Sequence, residues 1–293
     1  MNILIRIRSL LHWQRVLRVC LYGFAICGLL VLGRGTYAFR DRIPGYQLSL
    51  SIAPDRAKNE SRPLLVGFAR IKITPNLDPK HPVWLAGFSQ HRAATAVHDD
   101  LWAVAAVIDD SWTRLGIVSL DAIGFFQDDV VQVRRALPAS LKLDYTIIHS
   151  THNHSTPDLM GLWGPNYLHS GIDPSYRKQV IEACVSALSL AVSNMQPARV
   201  AIHEIPTLPE GLVSDTRKPI VFDCDIRVMH FMRATGGGTI GSIVGWGDHP
   251  ETLWGRNTEI TSDFCGYLRD ALETGVTVQD GKVLEGVGGF TCT

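Results

Sequence analysis

The hydrophobic pattern divides the chain into three stretches. An unbroken apolar run fills 19–32, after Arg6, Arg8, Arg15 and Arg18 and before Gly33 and Arg34. A basic flank followed by such a run predicts a secretory signal or a signal anchor over 1–38, and hence export, with the chain either held at the membrane or released into a periplasmic or extracellular space. The run is shorter than the roughly 20 apolar residues of a comfortable membrane span, so it is marginal as a permanent one. Residues 39–62 lose periodicity among Arg40, Asp41, Pro44, Gly45, Pro54 and Asp55, which predicts a linker.

From 63 to 293 the pattern is that of one mixed α/β domain, with β-sheets flanked by helices. Apolar, β-branched runs bounded by turn residues predict strands at 66–73, 101–108, 115–120, 145–148, 199–205, 226–232 and 240–246. Three helices interleave with them, at 128–137, 174–195 and 262–273. Asp173 can cap the second, Pro174 suits its first position, and Val180, Cys184, Val185, Leu188 and Val192 form its apolar stripe. Phe264, Leu268, Ala271 and Leu272 predict the buried face of the third. The chain ends on a glycine-rich turn at 286–291 with no closing element expected after it, which suggests that the domain continues beyond Thr293.

Composition changes this picture little. Apolar residues are 46% and charged residues 19%, enough for a sizeable core and too few charges for global disorder. Lys plus Arg number 28, as do Asp plus Glu, so nothing suggests a nucleic-acid partner. Six cysteines lie scattered without a C-x-x-C pair, which excludes a zinc ribbon and makes buried free thiols the default.

The candidate chemistry sits in loops just past strands. His149, His152 and His154 fall within six residues after the strand at 145–148. In extended chain, residues two apart share a side, so His152 and His154 can face one cavity. His249 lies just past the strand at 240–246, beside Asp248. Two strand-end loops supplying His152 and His249 would furnish part of a catalytic zinc shell. Asp121, at the end of the strand at 115–120, or Asp248 would orient a ligand from behind. Asp215 and Arg217 are candidates to hold a polar group of a substrate. The bland readings are polar turns and a surface ion pair.

Several segments in order resemble the neutral, non-lysosomal ceramidases. Val66 to Pro75 is similar to the family's opening strand and turn, with Lys72 where an acidic residue would stand. Ala86-Gly87-Phe88, the strand ending in Asp121, Thr151 to Pro157, His249-Pro250-Glu251-Thr252-Leu253 and Thr261 to Tyr267 resemble five further motifs. The resemblance implies a zinc amidase that hydrolyses the N-acyl bond of ceramide or a related lipid amide to fatty acid and amine. It implies His152 and His249 as zinc ligands and His154, with Asp121, as catalytic groups. The family's remaining glutamate and tyrosine ligands would lie beyond Thr293, and the serine of its glycine-rich turn has no counterpart in 286–291. An envelope protein that kept this fold as a binding or structural module is the alternative. A metallo-β-lactamase-like hydrolase shares T-H-x-H but needs aspartate and histidine where Thr156 and Pro157 stand.

Overall fold

A computed structural model of the chain describes residues 2–40, 62–215 and 218–293. It forms two compact units, Met1–Glu60 and Ser61–Thr293. Most of the expected linker lies outside the described residues.

In the first unit, α1 runs unbroken over Asn2–Phe39. Its segment His12–Phe39 spans 28 residues with a mean hydropathy of 2.2 in the most apolar stretch, long and apolar enough to cross a membrane. The helix therefore exceeds the 19–32 run at both ends. No proline interrupts 12–39, and Arg15 and Arg18 are good helix formers that extend the apolar segment instead of ending it.

The second unit is built on one eight-stranded sheet. In chain order its elements are β1 (Leu64–Lys72), β2 (Ala96–Val97), β3 (Trp102–Asp109), β4 (Arg114–Leu120), α2 (Gln127–Ala136), β5 (Tyr145–Ser150), α3 (Pro174–Ser193), β6 (Gln196–Ile205), β7 (Ile226–Arg233), β8 (Thr239–Gly245), β9 (Glu259–Ile260), α4 (Asp263–Thr274), β10 (Gly275–Thr277), β11 (Val283–Glu285) and β12 (Phe290–Cys292). The sheet order is β12-β8-β7-β6-β1-β3-β4-β5. All seven expected strands and the three expected helices of this region are present. The short pairs β2 with β9 and β10 with β11 were not expected, since two or three residues carry no periodicity. Nor was β12, which pairs in parallel with β8 and so closes the described sheet where a turn was expected.

The central strands are buried on both faces. Ala103, Ala105 and Val107 pack with Val118 and Leu120 under α3, whose buried stripe includes Tyr176, Val180, Cys184, Leu188 and Ala191. Asp173 caps α3 by accepting the Ser175 amide at 2.8 Å, as its sequence predicts. Val104 and Ala106 turn the other way, with Val66 and Phe68, and meet Phe231, Ile240 and Cys292. This second core shows that the sheet curls: β1 and β3 pack over the β7, β8 and β12 region. It also explains why β3 reads as a continuous apolar run and not as an alternation.

The expected face of α4 is corrected. Its buried positions are Asp263, Cys265 and Arg269, while Phe264 and Leu268 are only half-buried. Arg269 is 1% exposed and forks onto Asp121, donating to its two oxygens at 2.9 and 2.6 Å, while Asp121 also accepts the Trp102 amide at 2.9 Å. Arg269 further donates to the Thr293 hydroxyl at 3.2 Å. Burial works against both charges. Asp121 more than offsets that for the Arg269 cation, and three donors aimed at Asp121 are the environment of an ionised carboxylate. Truncating either partner strands the other charge in the core. Arg269→Met or Asp121→Ala should cost about 3–5 kcal/mol of folding stability, read as a lower urea midpoint, and a loss within error of zero would show that the pair is not a structural tie.

Candidate metal centre

Three loops meet at one end of the curled sheet. β4 and β5 run parallel with Leu120 opposite Ser150, so the chain leaves both strands side by side. The loop after β8 comes from the far side of the sheet order, and the curl brings it over: the His154 amide donates to the Pro250 carbonyl at 3.2 Å. Within the β5 loop Asn153 is fully buried and ties inward, donating to the Thr261 carbonyl at 2.7 Å, while His152 and His154 turn outward on either side. His152 has φ of 65°, a left-handed conformation that non-glycine residues seldom adopt and that marks a constrained position.

His152, His154 and His249 each offer a nitrogen, and these atoms all lie within 4.8 Å of one another. The Nε2 atoms of His154 and His249 are 3.0 Å apart. The rings of His152 and His249 stack at 4.7 Å, and His154 presents its edge to His249 at 4.6 Å. Nδ1 of His152 is 2.7 Å from the Ile123 carbonyl and donates to it, which leaves Nε2 as a lone-pair donor. Nδ1 of His154 and of His249 lie 3.5 and 3.6 Å from the two oxygens of Glu251. The buried Nδ1 of His154 has no hydrogen-bond partner among the described residues.

The surroundings keep the His154 ring neutral. Burial, then the neighbouring His249, His152 and Arg92, push the pKa of His154 down to about 4. Arg92 is itself 6% exposed and donates only to backbone carbonyls, those of Ala86, Gly87, His154 and Asn257. It fastens three loops together from beneath. Three imidazoles whose nitrogens lie within 4.8 Å of one another, one tautomer fixed by a carbonyl, form a donor set suited to a divalent metal.

The other expected site residues are distributed as follows. Asp121 is engaged with Arg269 and not with a histidine ring. His149 lies away from the cluster and lines a separate cavity of about 220 Å³ with Trp246 and Cys265. Asp248 holds the His249 amide at 2.8 Å, and burial raises its carboxyl above the usual range. Asp215 shares a cleft of about 410 Å³ with Asp248, His249 and Glu251. Arg217 lies outside the described residues. Glu251, Arg92, Gly87 and the Ile123 carbonyl were missed. Glu251 carried a signal, two positions after His249, and Gly87 stood in a motif without a role assigned to it.

Gly87 has φ of 78°, and a Cβ there would stand 2.5 Å from His154 Nδ1. The ring occupies the space that glycine leaves. Gly87→Ala should displace His154 and weaken metal affinity by about tenfold or more, the scale seen for disturbed supports of metal ligands, as measured by competition with a chelating dye. Unchanged affinity would show that this close approach does not set the site.

No protein-family model matches the chain, and no curated protein matches it by sequence. Solved structures do share its fold. The neutral ceramidase from Pseudomonas aeruginosa superimposes with a TM-score of 0.60 at 20% identity, over 79% of this chain and 38% of that one. A ceramidase complexed with C2 gives 0.61 at 21% identity, over 78% and 37%. The chain thus spans little more than a third of the length of these structures, and what it shares with them is the fold of a ceramidase's corresponding part.

Proposed function

We propose that this chain carries the metal-binding part of a zinc-dependent amidohydrolase acting on ceramide or a related lipid amide, held at or exported across a membrane by α1. The observation that carries the reading is the convergence of His152, His154 and His249 from two distant loops of a fold shared with ceramidases.

In this reading His152 and His249 hold the ion through Nε2. Zinc, when bound, supplies a Lewis acid that polarises an amide carbonyl and activates water. The protein does the rest. The Ile123 carbonyl fixes the His152 tautomer, and the Glu251 carboxylate stands 3.5 and 3.6 Å from the Nδ1 atoms of His154 and His249, where its charge favours a proton on that side of each ring. His154, kept neutral, has a free Nε2 lone pair at the same point. It takes the proton of the attacking water and returns it to the leaving amine, the work of a general base and then acid. Arg92 holds the His154 backbone in register. The cleft bearing Asp215, Asp223 and Asp248 lies beside His249 and offers acceptors to the hydroxyl or amine end of the substrate.

The variants separate the roles. His152→Ala and His249→Ala should lose bound zinc and amidase activity while the circular dichroism spectrum is kept. His154→Ala should weaken zinc affinity by about tenfold without abolishing it, and at saturating zinc should lose about 10²–10⁴ in kcat, the usual contribution of a general acid–base group. Full zinc occupancy in both of the first two variants would refute the assignment.

A further inference from the structure

The loop between Asp158 and Asp173 presents two large apolar side chains to solvent with no packing role. Tyr167 is 89% exposed and Leu168 is 91% exposed. They are held there by a built turn. The Asn166 side chain accepts the Leu168 amide at 2.9 Å and lies 2.8 Å from His169 Nδ1, and the His169 amide returns to the Asn166 carbonyl at 3.2 Å. The neck below is closed: a Cβ on Gly164 would stand 2.3 Å from the His169 carbonyl oxygen, so the two limbs of the loop touch backbone to backbone. The loop is also strapped to the Ala86–Arg92 segment. Gln90 accepts the Gly164 amide at 2.8 Å and donates to the Leu162 carbonyl at 2.7 Å, and the His91 amide donates to the Gly164 carbonyl at 2.8 Å. That segment carries Phe88, whose ring is 4.9 Å from His154 and 5.4 Å from Trp254, itself 63% exposed. The metal centre and the tip are thus joined along one hydrogen-bonded rim.

We propose that this rim docks on a lipid bilayer, with Tyr167 and Leu168 seated among the headgroups and upper acyl chains and the histidine cluster facing the membrane surface. Three features favour lipid over a protein partner. From Leu159 to Ile172 the chain has no Asp, Glu, Lys or Arg, so nothing at the tip would pair with a charged protein surface or resist entry into lipid. A tyrosine beside a leucine, with Trp254 behind, is the mixture enriched at membrane interfaces, where a ring can be apolar on its body and wet at its tip. The same chain carries α1, long and apolar enough to cross a bilayer, and as an anchor this helix would hold the folded unit where such a surface is at hand. A rigid turn also lowers the ordering cost of insertion, because the side chains are already presented. The proposal does not depend on the amidase reading and can hold for any lipid-directed use of the site.

The test uses the full chain reconstituted in dioleoylphosphatidylcholine vesicles, with and without acyl chains brominated near the headgroup. Tyr167→Trp adds one reporter at the tip, and its emission is read as the difference from the parent chain. Leu168→Trp serves as a second reporter should the first disturb the turn. Bromolipid should roughly halve the added emission and aqueous iodide should barely reach it, as for a side chain at the headgroup boundary. Added emission that ignores bromine and is quenched by iodide like free tryptophan overturns the proposal. So does protection from iodide without bromine quenching, which would assign the tip to a second protein chain. Neither outcome depends on whether zinc binds or amide is cleaved.

Discussion

The ion pair between Asp121 and Arg269 fixes the arrangement on which the site depends. Asp121 ends β4 and Arg269 lies on α4; Arg269 also reaches Thr293, the residue after β12. In sheet order β4 and β12 belong to opposite ends, separated by β8, β7, β6, β1 and β3. One buried guanidinium therefore ties both ends of a curled sheet to one helix. A planar fork on a carboxylate specifies direction as well as distance, which an apolar contact in that place would not. With the curl set, the loops that follow β4, β5 and β8 emerge together, and histidines nearly a hundred residues apart become neighbours.

Around that junction the loops are held by backbone and not by other charges. Arg92 spends its donors on carbonyls of three segments, and Asn153 and Asp99 do similar work, the latter accepting from Thr261 and Ser262 at the start of α4. The result is a rigid rim in which the Glu251 carboxylate faces two of the rings and Asp248 adjoins His249. Burial and the Arg92 charge keep the His154 imidazole neutral and available as a donor. The Phe88 ring then stands between His154 and the exposed Trp254.

The fold was legible in the sequence where a single period governs it. β3, β4 and β8 are β-branched runs between turn residues, and α3 carries its own cap at Asp173 and an apolar stripe. α4 misled because its buried face is defined by a charge: Arg269 lies in the core for the sake of Asp121, and hydrophobicity alone points to Phe264 and Leu268 instead. β2, β9 and β12 are too short to have a pattern and exist through their partners. Of the site, His152, His154 and His249 were visible as histidines past strands. Their convergence was not, since it depends on the curl. The supports at Arg92 and Gly87 are contacts across the fold, and the motif around Gly87 does not show which ring it admits.

The central claim is that these imidazoles meet on one cation. X-ray absorption at the zinc edge of the purified, zinc-loaded chain tests it most directly. The account predicts one zinc per chain, with two or three nitrogen neighbours at ~2.0–2.1 Å and the outer-shell scattering of imidazole rings. A spectrum of oxygen or sulfur ligands without imidazole scattering would contradict it.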